Sequence, residues 1–386
     1  MRRDAVHGRD ALPSDHRAGG AGAECERTYA RARELASQIG ESPELPRVLV
    51  GMAAAYQTKG DLATASEVAQ EALAAAERTG DAVDLLSAHY VAGLPLLYQG
   101  HFSRALQHFE QSIKLYNPSA HGPLAYTVGF DVDVAAHARA AWCHSFLGHP
   151  DRTLAVSEEA VALARRVEHP LSLADALFWG GVVHFGRGEF DGARERIGEA
   201  VGLSEQLGFP FWLAWGRTLR GRARVESGEG EAGIAEMQQA LGELAGIGSG
   251  IAAPQFLAML AEGFRKAGRH DEALGALGRG IAHAEQQGQH FYDVELHRVR
   301  AEILLDMDGN AVEEAEALFG HSLEIARRQE AKTFELRAAT SLARLWQRQG
   351  KRDAARALLA PLHAWFTEGF ATRDLKDAKA LLDDLA

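Results

Sequence analysis

The chain has 386 residues, 41 of them Lys or Arg and 53 Asp or Glu, which gives a net charge of −12, and 46% of its residues are hydrophobic. This composition supports a folded core and excludes a disordered tail. The acidic balance also excludes a protein that binds nucleic acid along most of its surface, because phosphate binding needs basic patches.

Membrane, secretory and cofactor signals are missing from the sequence. No segment approaches the ~18 to 20 apolar residues that a spanning helix needs, and residues 1–22 contain no apolar stretch typical of a signal peptide. The two cysteines, Cys25 and Cys143, form no metal motif or disulfide framework. We therefore expect a cytoplasmic protein with no cofactor, no metal, no nucleic acid and no membrane partner.

Glycine recurs along the chain at intervals of 20 or 40 residues, except that the interval from Gly100 to Gly148 is eight residues longer. The positions are 20, 40, 60, 80 and 100, then 148, 188, 208, 228, 248, 268 and 288. Between them lie runs such as 61–79, which are rich in Ala, Leu, Glu and Arg, all strong helix formers. A glycine at this spacing predicts a left-handed helix end between helices, and hence one hairpin of two helices every 40 residues.

Small residues recur at fixed distances from alternate glycines. Small side chains lie five residues after the turn, as at Ala65 and Ala105, and again seven residues further on. Others lie seven residues before it, as at Gly93 and Gly181, with a large residue three positions later. Small residues on one helix face allow a neighbouring helix to approach closely. The pattern resembles the tetratricopeptide repeat, lengthened from its usual ~34 residues.

We therefore predict an all-α fold, a right-handed superhelical solenoid of tetratricopeptide-like hairpins with a period of about 40 residues. Residues 1–22 are expected to be disordered or poorly ordered, and 23–386 to form a single solenoid. It opens with one lone helix at about 23–38, which eight hairpins follow. The predicted turns lie at or near Gly60, 100, 148, 188, 228, 268, 309 and 350. A central insertion is expected at 117–132 and a capping helix at 372–385. The lone first helix suggests a chain cut from a longer protein or closed by a partner.

Several segments resemble one bacterial family. They are Tyr116-Asn-Pro-Ser-Ala-His121, Leu124-Ala-Tyr126, Gly129-Phe-Asp131, Gly208-Phe-Pro-Phe-Trp-Leu-Ala214, the stretch 295–302 and the stretch 365–375. The family comprises large signalling proteins that carry a class III adenylyl cyclase domain, an AAA-type ATPase and then tetratricopeptide repeats. The resemblance implies a regulatory role beside an ATPase or cyclase, in cis or in trans. It implies no such activity for this chain, which lacks both catalytic parts.

The concave groove is the strongest candidate site. In such arrays the first helix of each hairpin lines the inner surface, at positions 13, 10, 6 and 3 before the turn glycine, which share one face. The predicted groove residues are Tyr90, Trp142, Phe178, Phe185, Trp215, Arg222, Gln255, Glu262, Arg265, Glu295, Arg298, Glu302, Arg337 and Arg344. Exposed aromatics beside Arg side chains suit a peptide ligand. Alternatively, the aromatics pack between hairpins and the charges pair with one another, as Arg298 and Glu302 would.

The central insertion is a second candidate site. It carries Tyr116, His121, Tyr126, Phe130 and Asp131, and inserted loops often bind ligands. A loop that only packs on the solenoid is the alternative.

The sequence contains no convincing catalytic or nucleotide-binding motif. The string Gly228–Gly233 matches a dinucleotide-binding pattern but follows a helix and contains two glutamates, which indicates a repeat turn. No Walker motif is present, and His137 and His144 are too far apart to share a metal ion.

We therefore predict a non-catalytic, protein-binding regulatory scaffold. One rival is a small-molecule sensor like the repeat domain of maltose-type activators. Another is an enzyme site around Trp142, His144, Asp175 and His184, although these residues include no nucleophile and base at a spacing typical of catalysis.

Overall fold

The computed structural model describes residues 42–122 and 125–386, with only the backbone of 127 and 128, and places Arg27, Arg31 and Glu34 in helical conformation. The predicted disordered segment 1–22 lies outside the described residues. So does the predicted first helix at 23–38, apart from those three positions.

The described chain consists of α-helices joined by short turns, and no β-strand occurs in these residues. Eight hairpins follow one another. They are hairpin 1 (α1, Leu45–Lys59; α2, Leu62–Thr79), hairpin 2 (α3, Ala82–Tyr98; α4, Phe102–Leu115), hairpin 3 (α7, Val132–Leu147; α8, Pro150–Val167), hairpin 4 (α9, Pro170–Arg187; α10, Phe190–Leu207), hairpin 5 (α11, Pro210–Glu226; α12, Gly230–Gly246), hairpin 6 (α13, Ala253–Lys266; α14, His270–Gln287), hairpin 7 (α15, Asp293–Met307; α16, Val312–Arg328) and hairpin 8 (α17, Lys332–Arg348; α18, Arg352–Trp365). The predicted all-α solenoid of tetratricopeptide-like hairpins is confirmed.

Four shorter elements complete the described chain. Two short helices, α5 (Pro118–His121) and α6 (Ala125–Val128), lie between hairpins 2 and 3. A 3₁₀ turn, His290–Tyr292, precedes α15, and the last helix, α19 (Arg373–Asp384), packs against hairpin 8. This last helix buries Leu375, Ala378 and Leu381 and turns its charged side outward, as a cap of a repeat stack does.

The turn glycines have the backbone conformation that their spacing predicts. Gly60, Gly148 and Gly188 have φ of +92°, +88° and +78°, in the left-handed region that favours glycine. Proline often occupies the first position of the following helix, as at Pro150 and Pro170, where its missing N–H breaks no helical hydrogen bond. Local sequence therefore sets where each helix ends and the next begins.

Small residues bring the two helices of a hairpin together. A Cβ added at Gly93 would lie 2.7 Å from the Phe109 ring, and one at Gly181 would lie 2.5 Å from Ile197. These glycines leave room for the large side chain of the facing helix. The predicted close approach at the small positions is present.

The solenoid coils far enough for distant hairpins to meet along one line, which we call the seam. There the turns of hairpins 1 to 4 contact the segments that connect hairpins 5 to 8 and α19. Hydrogen bonds across the seam join Ser249 Oγ to the Thr58 carbonyl (3.3 Å), Thr333 Oγ1 to the Ser145 carbonyl (2.6 Å), Arg337 Nη2 to the Gly186 carbonyl (2.9 Å) and the Gly369 N–H to Asp151 Oδ2 (3.0 Å). The seam closes the inner side of the solenoid into a channel.

Candidate ligand-binding cavity

A cavity of about 410 Å³ lies in this channel, between hairpins 3 and 4 on one side and hairpins 5 to 8 with α19 on the other. Most predicted groove residues line it. They are Trp142, Phe185, Arg222, Gln255, Glu262, Arg265, Glu295, Arg298, Glu302, Arg337 and Arg344. The inner helices present these side chains because positions three and four apart share a helix face.

Three predicted groove residues, Tyr90, Phe178 and Trp215, do not line the cavity. All three are buried, and each ring packs on rings of neighbouring helices: Tyr90 lies 5.7 Å from Phe130, and Trp215 lies 5.1 Å from Phe178 and 5.2 Å from Phe256. Large rings fill the space between successive inner helices, where their burial contributes most to stability. Their placement corrects the predicted groove at these positions.

A buried ion pair lies within this aromatic packing. Arg139 Nη1 is 2.5 Å from Asp175 Oδ2, and the Trp179 indole N–H donates to Asp175 Oδ1 at 3.0 Å. The guanidinium also lies 4.9 Å from the Trp179 ring. Burial raises the pKa of Asp175, while Arg139 and Trp179 stabilise its charged form. Sequence reasoning missed Arg139; its separation from Asp175 by roughly one repeat was the available signal.

The other wall of the cavity is charged. We call it the ionic wall: Arg222, Glu262, Arg265, Glu295, Arg298, Glu302 and Arg337. Arg298 Nη1 contacts Glu302 Oε1 at 2.6 Å, the pairing that the sequence predicted, and Arg298 Nε contacts Glu295 Oε1 at 2.7 Å. Pairs also cross between hairpins, since Arg222 Nη2 lies 2.6 Å from Glu262 Oε2. The charges of the groove therefore pair with one another and also face the cavity.

Glu262 is the centre of the ionic wall. Burial favours its neutral form, but Arg222, Arg298, Arg337 and Lys266 outweigh burial and lower the pKa of this carboxyl to about 2. Glu262 is therefore charged at neutral pH, and it pairs with Arg222 of α11 at 2.6 Å and with Arg298 of α15 at 3.5 Å.

The cavity is more basic than the rest of the molecule. Eight basic side chains line it against six acidic ones, whereas the whole chain has a net charge of −12. Three of the basic residues, Arg187, Lys266 and Arg373, were missed by sequence reasoning because they lie at helix ends: the last residue of α9, the last residue of α13 and the first residue of α19. A local excess of positive charge in a cleft favours an anionic ligand.

The residues of the possible enzyme site have partners in different places. Asp175 is paired with Arg139, and His184 Nδ1 lies 2.8 Å from Glu189 Oε2. His144 is buried, and its burial beside His149 lowers its pKa to about 4. Within the described ranges, no group of three or more His, Cys, Asp or Glu side chains is placed to hold a metal ion.

The insertion between hairpins 2 and 3 is anchored to the solenoid by most of its predicted site residues. The Tyr116 hydroxyl donates to Asp131 Oδ2 at 2.5 Å, and Asp131 Oδ1 accepts from the Val134 N–H at the start of α7. His121 is buried, and Phe130 packs on Tyr90. Tyr126 differs, because 67% of it is exposed although its ring contacts His169. Only this residue of the five presents a large free surface.

Within the described part of the chain, no helix combines the length and apolar composition needed to cross a bilayer.

Comparison with known proteins supports the repeat assignment. A tetratricopeptide repeat family model matches residues 44–117. A Rap protein complexed with competence and sporulation factor is 14% identical with a TM-score of 0.60, and the match covers 95% of this chain and 98% of that one. The Rap conjugation gene regulator of plasmid pLS20, in complex with the Phr* peptide, is 11% identical with a TM-score of 0.52 and coverages of 94% and 96%.

A signal transduction ATPase with numerous domains and a tetratricopeptide repeat sensor, from Pyrococcus horikoshii, is 12% identical with a TM-score of 0.46. That match covers 94% of this chain and 54% of the ATPase chain. A sequence search of curated proteins finds no match. At these identities the structural neighbours show the fold alone.

Proposed function

We propose that the chain is a non-catalytic scaffold that binds a short peptide, or a segment of a partner protein, in the cavity. The observation that carries this proposal is the cavity itself: a partly open space on the inner side of the solenoid, lined both by aromatic rings and by paired charges. Aromatic and Arg side chains dominate binding energy where peptides are recognised. Two Rap structures of similar fold, each in complex with a factor or peptide, are consistent with this role.

One residue belongs to both the cavity and the seam, and ligand binding at this residue would change the contacts across the seam. Arg337 lines the cavity, pairs with Asp374 of α19 at 2.8 Å, and donates to the Gly186 carbonyl across the seam. A ligand that engages Arg337 therefore alters the closure of the solenoid and the seating of its cap. A ligand can shift such an equilibrium only through its different affinity for the two states.

We further propose that this closure regulates an ATPase or adenylyl cyclase, in cis or in trans, in the cytoplasm. The support is the resemblance of segments 116–131, 208–214, 295–302 and 365–375 to the repeat regions of such signalling proteins. The chain would act as the sensor part of that system.

A small-molecule sensor is the second candidate function. A cavity of about 410 Å³ lies within the range of typical small-ligand pockets. A metabolite that binds it would raise the melting temperature of the chain by linkage, in proportion to the logarithm of its concentration.

The test is capture of peptides from a synthetic random hexapeptide mixture by the immobilised chain, with mass-spectrometric identification. The blocking variant is Gly186→Trp, since Gly186 lines the cavity and no atom lies within 4 Å of its would-be Cβ. The matched control is Gly202→Trp in α10, an exposed helical glycine whose would-be Cβ is equally free of contacts and which lies outside the cavity lining.

We expect the wild-type chain and Gly202→Trp to capture the same peptides, and Gly186→Trp to capture about tenfold less of them. Equal capture by both Trp variants would place binding outside the cavity and overturn the proposal. A thermal shift with metabolites, combined with no peptide capture, would favour the second candidate instead.

A further inference from the structure

We propose that the link between α18 and α19 is a strap that holds the solenoid closed, and that Glu368 is the residue that fastens it. We define the strap as residues 366–372, the non-helical segment between Trp365 and Arg373. It lies at the seam, where it contacts the turn of hairpin 3. This closure requires no ligand, so it is independent of the proposed function.

Glu368 caps the first turn of α8 from across the seam. The first N–H groups of a helix have no partner within the helix. Glu368 Oε1 accepts hydrogen bonds from the N–H groups of Asp151 and Arg152, at 3.1 and 3.2 Å. His149, at the N-cap position, supplies no side-chain cap. Glu368 therefore takes the part that an N-cap side chain usually has, and its carboxylate lies at the positive end of the helix dipole.

The first turn of α8 binds the strap in return. The Gly369 N–H donates to Asp151 Oδ2 at 3.0 Å, so neighbouring residues of the strap and of α8 exchange hydrogen bonds. This reciprocity resembles a capping box, in which two side chains each satisfy a backbone N–H group of the other residue. The exchange fixes the register of the two segments, although 217 residues separate Asp151 from Glu368.

The conformation of the strap at Gly369 makes this fit specific. Its φ is +76°, in the left-handed region, and a Cβ at this position would collide with the Pro150 ring. The Gly369 carbonyl accepts from the Thr372 hydroxyl at 2.7 Å and from the Thr372 N–H at 2.8 Å. The strap therefore forms a defined turn that presents Glu368 and the Gly369 N–H to α8.

The strap can be released without unfolding a hairpin. The Asp151 side chain is 57% exposed and Glu368 is half-buried, so water can replace the hydrogen bonds between the two segments. Segments held by accessible contacts open at a lower free energy than buried helices do. Release of the strap is therefore a local event, distinct from global unfolding.

Release of the strap would also change the cavity. Phe366 and Thr372, at the two ends of the strap, both line the cavity. Asp374, which follows the strap, pairs with Arg337 of the ionic wall at 2.8 Å. One short segment thus holds the seam and forms part of the cavity wall. The strap is an element with two positions that links the closure of the solenoid to the shape of its cavity.

Amide hydrogen exchange on the full chain, resolved to single residues, tests the cap. Glu368→Ala removes the acceptor, and we expect the N–H groups of Asp151 and Arg152 to exchange about tenfold faster. The matched control is Thr367→Ala, which truncates the exposed neighbouring side chain and should leave both rates unchanged. Glu368→Gln keeps an acceptor oxygen and loses the charge, so its rates should lie between those of the wild type and Glu368→Ala.

Small-angle scattering on the same variants tests closure. We expect a larger radius of gyration for Glu368→Ala than for the wild type and Thr367→Ala, with the same helix content by circular dichroism. Asp151→Ala should cause a similar increase. The two changes combined should add little to either one alone, because each releases the same strap.

Three results would overturn the inference. Unchanged exchange at Asp151 and Arg152 in Glu368→Ala would show that Glu368 does not cap α8. Faster exchange with an unchanged radius of gyration would show a local cap that has no part in closure. Fully additive effects of Asp151→Ala and Glu368→Ala would show two independent contacts. If Glu368→Ala lost helix content, the radius of gyration of Asp151→Ala would decide, since that change releases the strap from the opposite side.

Discussion

The inner helices of the solenoid form two regions that share one sequence periodicity but place the side chains of equivalent positions differently. In hairpins 2 to 5 the predicted groove positions carry rings such as Tyr90, Phe178 and Trp215, and these rings are buried between helices. In hairpins 5 to 8 the equivalent positions carry charges such as Glu262, Arg298 and Arg337, and these line the cavity. Trp142 and Phe185 are exceptions, since these rings also line the cavity. The position in the repeat therefore permits either burial between helices or exposure to the cavity, and side-chain chemistry favours one or the other.

The difference has a simple physical origin. A ring gains free energy when a neighbouring helix removes it from water. A charged side chain loses hydration on burial unless a partner compensates. The charged residues therefore stay at the edge of the cavity and pair with one another, and this pairing gives the cavity a fixed arrangement of donors and acceptors.

The largest effect is expected where a charge lies in the aromatic region. Asp175→Ala leaves Arg139 buried without its ionic partner and should lower the free energy of unfolding by about 3 to 5 kcal/mol. Glu302→Ala in the ionic wall should have a smaller effect, about 1 kcal/mol, because Arg298 keeps Glu295 and Arg265 keeps Asp306. Urea unfolding measures both.

A control for this pair is the combined change Arg139→Met and Asp175→Leu, which removes both charges and should recover much of the stability lost in Asp175→Ala. If Asp175→Ala and Glu302→Ala lowered the free energy of unfolding equally, the proposed difference between the two regions would be wrong.

The seam, which brings the two regions together, gives the next effect. Gly148 and Gly80 both have left-handed backbones, with φ of +88° and +68°. A Cβ at Gly148 would lie 2.7 Å from Lys332 and 2.8 Å from Trp365, whereas one at Gly80 would meet no atom within 4 Å. Gly80→Ala should therefore cost about 1 to 2 kcal/mol of stability, and Gly148→Ala clearly more.

Small-angle scattering distinguishes seam opening from a local defect. We expect Gly148→Ala to increase the radius of gyration and Gly80→Ala to leave it unchanged. Identical stabilities and dimensions for the two variants would show that the seam contributes nothing to closure.

The ionisation of Glu262 in the ionic wall should make the free energy of unfolding depend on pH. Glu262 has a pKa of about 2 in the folded chain against an ordinary value of 4.5. Its ionised form therefore favours folding, and this stabilisation is complete above pH 4.5 and lost as the pH falls toward 2. The difference in unfolding free energy between the wild type and Glu262→Gln should shrink as the pH is lowered from 6 to 3. Parallel pH curves would contradict the role of Glu262.

The smallest effect is expected outside both regions. Arg165 and Glu199 form an exposed ion pair with Nη2 to Oε2 at 3.2 Å, and both side chains are largely accessible. Arg165→Ala should change the free energy of unfolding by less than about 0.5 kcal/mol. If Arg165→Ala lowered the free energy of unfolding as much as Glu302→Ala does, the ion pairs of the cavity lining would be no more stabilising than an exposed pair.

The fold was predictable from the sequence because its determinants are local. The turn at Gly188 and the close approach at Gly181 each depend on the absence of a Cβ at one position, and the repeat makes that absence visible. The same periodicity located eleven residues of the cavity. It did not separate Trp215 from Arg222, since burial between hairpins depends on the packing of neighbouring rings.

The neighbours of Glu226 and the seam were not predictable in this way. Lys266 and Arg373 are far apart in sequence, and both lie within 4 Å of Glu226 because the solenoid brings distant helices together. The contact of Thr333 with Ser145 has the same origin, with 188 residues between the partners. Coiling of this extent sums small rotations over many hairpins, and no single repeat encodes it.

The most direct test of the central claim is a crystal structure of the chain with the hexapeptide that it captures most strongly. The account predicts a peptide inside the cavity, between Phe185 on one side and Arg337 on the other. A peptide bound on the outer helices, or at Tyr126 of the insertion, with the cavity unchanged, would contradict it.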